Sequence, residues 1–138
     1  MSQANMELHR RLVAAFNHAR DVEAFIACLD PSVEYHSVMT VPGGAVYHGH
    51  DGVRKYFGDF KDAWGDEFRV EPEAFFDLGE QTLLFYVLHG RGRQSGAPIT
   101  GGLGPATGAV FELRGGQILR VVQFVSYEES LEAVGLSE

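Results

Sequence analysis

An apolar stretch near the C-terminus, residues 117–127 (QILRVVQFVSY), constrains the fold more than any other part of the chain. Its β-branched and aromatic residues follow a Gly-Gly pair and predict one long strand. Alternation divides this strand into an inner face of Leu119, Val121, Gln123 and Val125, and an outer face of Ile118, Arg120, Val122 and Phe124. Because both faces are largely apolar, neither should be open to water along its whole length. We expect helices to cover the inner face and a second copy of the chain to cover the outer one.

Gln123 is the polar exception on the inner face. An amide among aliphatic neighbours must form hydrogen bonds, because leaving it unsatisfied costs about 1–3 kcal/mol. Gln123 is therefore expected to contact a ligand in a pocket, or alternatively to bond Tyr35 or Tyr86 within the same core.

Composition limits the kinds of partner that the protein can bind. The chain has 138 residues with a formal net charge of −8, which argues against nucleic acid or an anionic membrane as a partner. Its single cysteine, Cys28, excludes an internal disulfide and is compatible with a reducing compartment. No apolar run suggests a signal peptide or a membrane span, so a cytoplasmic location is expected.

Helical periodicity predicts several amphipathic segments. One helix lies around residues 8–16, a second opens at Asp21, buries Leu29 and ends at Pro31, and a third is capped by Asp51. The third helix carries an apolar and aromatic stripe of Val53, Tyr56, Phe57, Phe60 and Trp64. A short helix is expected at the C-terminus.

Alternating patterns predict strands at residues 33–38, 68–76, 82–93 and 109–114. Pro72 favours an edge position for the second of these, and a two-residue Gly-Gly turn joins the last to residues 117–127. The order of elements predicts one α+β domain over residues 1–138, in which a curved antiparallel sheet wraps around the third helix.

Six segments together resemble the SnoaL-like branch of the NTF2-like superfamily, which has the ketosteroid isomerase-like fold. They are VEYHS, YHGHDGVRKYF, DAWGDEFRVEPEAFFDLGEQ, GRGRQSG, LRGGQILRVVQF and EESLEAVGL, and the resemblance extends from about Leu8 to Leu136. It implies a cone-shaped, cystatin-like barrel with an internal apolar pocket and a homodimer formed through the outer sheet face.

The resemblance leaves the chemistry open, because this fold hosts many activities. Tyr35 stands where ketosteroid isomerases have their general-base aspartate. Ser126 stands where many relatives have an aspartate before the terminal helix. The Asp-Arg-Asp set of limonene-epoxide hydrolase relatives cannot be assembled from inward-facing positions.

Three residues are candidates for catalysis. Tyr35 would act as an acid or an oxyanion donor, and otherwise as a core aromatic. His36 shares the opposite face with Glu34 and would enter the pocket only if a bulge shifts the strand register. His89 would be a base at the pocket mouth, and otherwise a structural histidine.

The sequence therefore predicts a pocket for a small hydrophobic molecule, without a metal or another cofactor. The predicted ligand contacts are Gln123, Tyr86, Trp64, Phe60, Phe57, Val121 and Val125. His48 and His50 do not suffice for a metal site, which needs three or four converging ligands. Two functions stay open: cofactor-independent acid–base catalysis of an isomerase, cyclase, dehydratase or hydrolase type, and non-catalytic ligand binding or carriage. A dimeric interaction module with a vestigial pocket is a further alternative.

Overall fold

The computed structural model describes residues 3–17, 21–38, 44–64, 69–91, 98–99, 107–124 and 127–135. At residues 63–64, 88–91, 98–99, 107 and 127 it describes the backbone alone. In these ranges the elements are α1 (Gln3–Asn17), α2 (Val22–Ile26), β1 (Leu29–Ser37), β2 (Ala45–His48), α3 (Gly49–Trp64), β3 (Arg69–Asp77), β4 (Gln81–Arg91), β5 (Pro98–Ile99), β6 (Thr107–Arg114), β7 (Gln117–Phe124) and α4 (Tyr127–Ala133).

Six strands form one curved open sheet in the order β2-β1-β7-β6-β4-β3, and β5 pairs with β4. The predicted α+β class is confirmed, and β3, with Pro72, lies at an edge of this path as expected. The sheet is not antiparallel throughout, because β1 and β7 run parallel. Alternation predicts which residues share a face but carries no information on strand direction.

A bulge in β7 changes the faces predicted for that strand. Glu112 pairs with Arg120 and Leu113 pairs with Ile118, so Leu119 is an extra residue without an opposite partner on β6. The bulge turns Ile118 inward, where it is fully buried in the same core cluster as Val121. The prediction that Ile118 lies on the outer face is therefore wrong.

The boundary between α2 and β1 also differs from the prediction. Asp21 caps α2 by accepting a hydrogen bond from the Ala24 amide at 3.1 Å, as expected, but the helix ends at Ile26. Leu29 is buried as the first residue of β1 and pairs with Ile118. Pro31 therefore lies inside the strand, where the pairing with β7 is irregular and does not require its missing N–H.

The helix α3 begins at Gly49, two residues before the predicted cap. Gly49 has a φ of +70°, a conformation that favours glycine. Asp51 lies in the first turn, and its carboxylate accepts a hydrogen bond from Arg54 Nη1 at 2.7 Å. The predicted stripe is buried at Val53, Tyr56, Phe57 and Phe60, and it packs with α1 and α2 against the inner face of the sheet.

The other face of the sheet carries a row of residues that are successive register partners across all six strands. We call this set the outer row: Val46, His36, Val122, Val110, Leu83 and Phe76. Leu131 of α4 and Val134, the residue after this helix, pack against its centre, over Leu83 and Val110. The ends stay open to solvent, with Val46 46% and Phe76 40% exposed. Among the helices described, none combines the length and hydropathy needed to cross a membrane.

Candidate functional site

A cavity lies between the helices and the inner face of the sheet. It has about 60 Å³ of space open to the centre of a water molecule. Its wall is formed by Leu12, Val13, Phe16, Phe25, Tyr35, Tyr56, Phe60, Val70, Leu84, Tyr86, Ala109, Phe111, Val121 and Gln123. Among the residues that the structure describes, the wall is therefore apolar except for three tyrosine hydroxyls and one amide.

The side chain of Gln123 is fixed in orientation by the backbone immediately after β1. The Val38 N–H can only donate, so the amide oxygen Oε1 must be the atom that accepts from it, at 3.1 Å. The amide nitrogen Nε2 then lies 3.4 Å from the hydroxyls of both Tyr35 and Tyr56. The internal bond to Tyr35, which the sequence left open as an alternative to ligand contact, is thus present and long.

The three tyrosines of the wall stay neutral around physiological pH. Burial is the main cause that raises the pKa of Tyr35, Tyr56 and Tyr86 above the ordinary value. The rings of Tyr35 and Tyr56 are 4.6 Å apart between centroids, and their hydroxyls interact with one another. These groups can therefore donate or accept hydrogen bonds but cannot act as phenolate bases near neutral pH.

Several residues predicted from the sequence meet at this cavity. Tyr35 points inward, and the wall also contains four of the predicted ligand contacts: Gln123, Tyr86, Phe60 and Val121. Phe57 is buried but lies outside the wall, where it packs on Phe25 at 4.9 Å between ring centroids. The side chains of His89 and Trp64 and the whole of Val125 lie outside the described residues.

His36 does not face the cavity. Tyr35 pairs with Val121 and His36 with Val122 without a register shift between them, because the irregularity of β1 lies earlier, between Leu29 and Glu34. His36 Nε2 lies 2.6 Å from Glu34 Oε1 on the outer face. This hydrogen bond is the main reason why the pKa of Glu34 is lowered.

Most of the lining residues were not identified as such from the sequence, and Tyr56 and three residues of α1 show why. Tyr56 belongs to the α3 stripe, and its polar tip in an otherwise apolar stripe was the available signal. The α1 residues Leu12, Val13 and Phe16 close the cavity on the helix side, and helical periodicity could show only that they are buried.

A second buried polar pair lies outside the cavity wall. His9 is 4% exposed, and its Nε2 lies 2.7 Å from Thr82 Oγ1. The rings of Phe75 and Phe111 flank the imidazole at centroid distances of 4.8 and 4.4 Å. Burial lowers the pKa of His9 to about 4, although the nearby Asp77 carboxylate opposes the shift. His9 Nδ1 has no hydrogen-bond partner in the described part of the chain.

No three histidine, cysteine or acidic side chains converge as metal ligands among the residues that the structure describes. Within the His-Gly-His-Asp segment, His50 Nε2 donates to the Leu29 carbonyl at 2.9 Å and so ties α3 to β1. The imidazole therefore has a structural role at this position.

Comparison with known families identifies the fold. A SnoaL-like domain is matched over residues 9–122, most of the chain. The chain belongs to the SnoaL-like family. No curated protein sequence gives a significant match.

Solved structures support the same assignment for this SnoaL-like chain. It is similar to an NTF2-like protein of unknown function from Burkholderia pseudomallei, with 23% identity and a TM-score of 0.76 over 98% of this chain and 99% of that one. A ketosteroid isomerase-like protein from Catenulispora acidiphila, in complex with trimethylamine, has 15% identity and a TM-score of 0.73 over 94% and 93%. A candidate polyketide cyclase from Xanthomonas campestris has 24% identity and a TM-score of 0.69 over 96% and 98%. At these identities the likeness concerns the fold.

Proposed function

We propose that this SnoaL-like protein binds a small, neutral and mainly apolar molecule in the cavity between its helices and sheet. The observation that carries the proposal is the composition of the wall, in which a few polar groups converge within an aromatic and aliphatic surface. Such a combination is typical of small-molecule sites, where apolar surface supplies affinity and a few polar groups fix orientation.

The wall favours a neutral ligand over a charged one. None of the described lining residues is a carboxylate, a histidine or a cationic side chain. A buried charge without a partner costs far more than a buried hydroxyl or carbonyl. Aromatic faces alone can attract a cation, so trimethylamine, with which the Catenulispora relative is in complex, is an informative probe.

The size of the cavity restricts the ligand or the part of it that enters. A water molecule needs about 10–15 Å³ on the same measure, so about 60 Å³ accommodates about four to six such positions. A single small ring or a short branched chain fits this space. A larger molecule would have to displace the wall.

A titration with two small probes tests the proposal. p-Cresol and trimethylamine are added at pH 7 to the isotopically labelled protein, and amide resonances are followed by NMR. We expect p-cresol to shift resonances of wall residues with saturation, and trimethylammonium to bind more weakly. The proposal would be contradicted if neither probe gave a saturable shift and if small ketones and alkenes of similar size also left the resonances unchanged.

A cavity-filling variant supplies the specific control. Ala109 is buried in the wall, so Ala109→Leu should occupy the space and remove p-cresol binding. Ala14→Leu makes the same change at an exposed position of α1 and should leave binding unchanged. Equal binding by the two variants would mean that p-cresol does not enter the cavity.

Cofactor-independent acid–base catalysis is the second candidate, and the likeness to the candidate polyketide cyclase favours it. Tyr35 would then be the acid or oxyanion donor. A base would have to come from His89, since His36 faces the opposite side of β1. Turnover of a small enolisable ketone, measured by exchange of its α-hydrogens for deuterium, separates catalysis from binding. Loss of exchange in His89→Gln with binding retained would support the enzyme.

We also propose that the protein is a cytoplasmic homodimer in which the open end of the outer row near Val46 meets a second copy. Because α4 covers the centre of the row, the contact would be formed by β2, β1 and β7. Val46→Asp should shift the mass measured by light scattering toward the monomer. Leu78→Asp alters a similarly exposed leucine, 42% against 46%, outside the outer row and should not. A wild-type monomer at all working concentrations would refute the homodimer.

A further inference from the structure

The hydroxyl of Tyr86 differs from the other polar groups of the cavity wall. Tyr86 is 5% exposed and lines the cavity, and in the described part of the chain no hydrogen bond contributes to the pKa shift of its hydroxyl, which burial dominates. Tyr35 and Tyr56 both face the Gln123 amide, and the Tyr47 hydroxyl donates to Asp59 at 2.8 Å. Because Tyr86 lines the cavity, a molecule that enters the cavity can become the hydrogen-bond partner of this hydroxyl.

The balance of donors and acceptors indicates what that partner should supply. Gln123 presents only N–H groups to the cavity, because its Oε1 is engaged by the Val38 amide. The other polar groups of the wall are three phenolic hydroxyls, and that of Tyr56 also interacts with the Ser37 side chain. The Gln123 bonds to the hydroxyls are also long, at 3.4 Å. The amide hydrogens that Gln123 presents to the cavity therefore lack a close acceptor.

We infer that the Tyr86 hydroxyl donates a hydrogen bond to an acceptor oxygen of the ligand, so that the preferred ligand class is small neutral carbonyl compounds with an apolar body. This inference rests on the proposed function and adds the chemical group that is recognised. Tyr86 is then the residue that determines specificity for the carbonyl. Gln123 and Tyr35 are neighbouring hydrogen-bond donors in the same wall.

A pair of probes with matched shapes tests the inference. Cyclohexanone and methylenecyclohexane differ only in that C=O replaces C=CH₂, so comparing their Kd values isolates the acceptor oxygen. We expect the preference for cyclohexanone, expressed as the ratio of the two Kd values, to fall about fivefold in Tyr86→Phe, as loss of one hydrogen bond predicts. In the control Tyr47→Phe, which removes a buried hydroxyl that bonds Asp59 and lies outside the wall, the ratio should change less than about twofold.

The stability of the free variants provides a second readout. On this inference the Tyr86→Phe change removes no hydrogen bond of the free protein and leaves the buried ring in place, so its Tm should equal or exceed that of the wild type. Tyr35→Phe should have a lower Tm, because it removes a partner of Gln123. A Tm decrease for Tyr86→Phe similar to that of Tyr35→Phe would show that the Tyr86 hydroxyl is already satisfied, and would overturn the inference.

The binding outcomes distinguish failure of the inference from failure of the proposed function. An unchanged Kd ratio in Tyr86→Phe, with both probes bound by the wild type, would refute the role of Tyr86 and leave the binding function intact. Binding of methylenecyclohexane but not of cyclohexanone by the wild type would also refute it. Failure of both probes to bind, with p-cresol also inactive, would refute the binding function and the inference together.

Discussion

Acidification should destabilise the protein through the buried His9. In the folded state its pKa is lowered to about 4 from an ordinary value of 6.5. The unfolded state therefore binds more protons than the folded state between these values, and stability must rise with pH across this window. The contribution of His9 is fully present above pH 6.5 and is lost as the pH falls toward 4.

The size of the effect follows from the pKa difference. At about 1.4 kcal/mol per pKa unit, the change from 6.5 to about 4 corresponds to about 3 kcal/mol at full protonation of the unfolded chain. About 2 kcal/mol of this should already be lost at pH 5. Exposed carboxylates such as Glu23 and Glu34 also have lowered pKa values, but their acid effects begin below an ordinary value of 4.5. The range from pH 7 to 5 therefore precedes most carboxylate protonation, and because the chain has six histidines in all, a variant without His9 is needed to assign the effect to it.

Urea unfolding at pH 7, 6 and 5 measures the effect. The wild type is compared with a double variant, His9→Phe with Thr82→Val, which removes both members of the polar pair and keeps the buried ring. We expect the free energy of unfolding of the wild type to fall by about 2 kcal/mol over this range, and that of the double variant to stay nearly constant. Parallel curves for the two proteins would refute the reasoning, because the pH dependence would then arise elsewhere.

Substitutions at three other positions test the packing and tertiary contacts. Gly108→Ala should cost about 1–3 kcal/mol, since its Cβ would lie 2.3 Å from Ser130 Oγ. Gly58→Ala, with nothing within 4 Å inside α3, should instead stabilise by about 0.5–1 kcal/mol. Asn17→Ala should cost about 1–3 kcal/mol, because its amide bonds both the N–H and the carbonyl of Val70, at 2.8 and 2.7 Å. All three are measured by urea unfolding, and equal effects of the two alanine substitutions at glycine would contradict the packing argument.

Local patterns were sufficient to predict most elements of the fold. The α3 stripe of Val53, Tyr56 and Phe60 is buried as its spacing predicts. The hairpin through Gly115 and Gly116 forms with both glycines at positive φ. In each case the interactions that determine the structure lie within one helix or one turn. A local sequence pattern is therefore enough to predict it.

Irregularities in the sheet could not be predicted from alternation. The bulge at Leu119 moves the Ile118 side chain from the predicted outer face of the sheet to the inner face. Nothing in a run of β-branched residues indicates where such an extra residue lies. The early end of α2 has a similar origin. The Cys28 carbonyl accepts a hydrogen bond from the Ile118 N–H at 2.9 Å, so pairing with a distant strand ends the helix before Pro31 can.

Contacts between distant residues determine the polar parts of the site. His9 and Thr82 are 73 positions apart, and Gln123 and Val38 are 85 positions apart. Sequence alone indicated that Gln123 must form hydrogen bonds, but the orientation of its amide depends on the backbone N–H of Val38, just after another strand. The burial of His9 could not be predicted, because a histidine in an amphipathic helix is compatible with either the buried or the exposed face.

His9 and Tyr86 are both buried polar residues, but their surroundings have different consequences. Tyr86 lines the cavity, so a ligand can satisfy its hydroxyl, whereas His9 is absent from the wall. A bound ketone should therefore raise stability by mass action without moving the pH window set by His9. A shift of that window on binding would instead mean that the cavity and the His9 pair are coupled, with Phe111 as the shared contact, because it lines the cavity and packs on the imidazole.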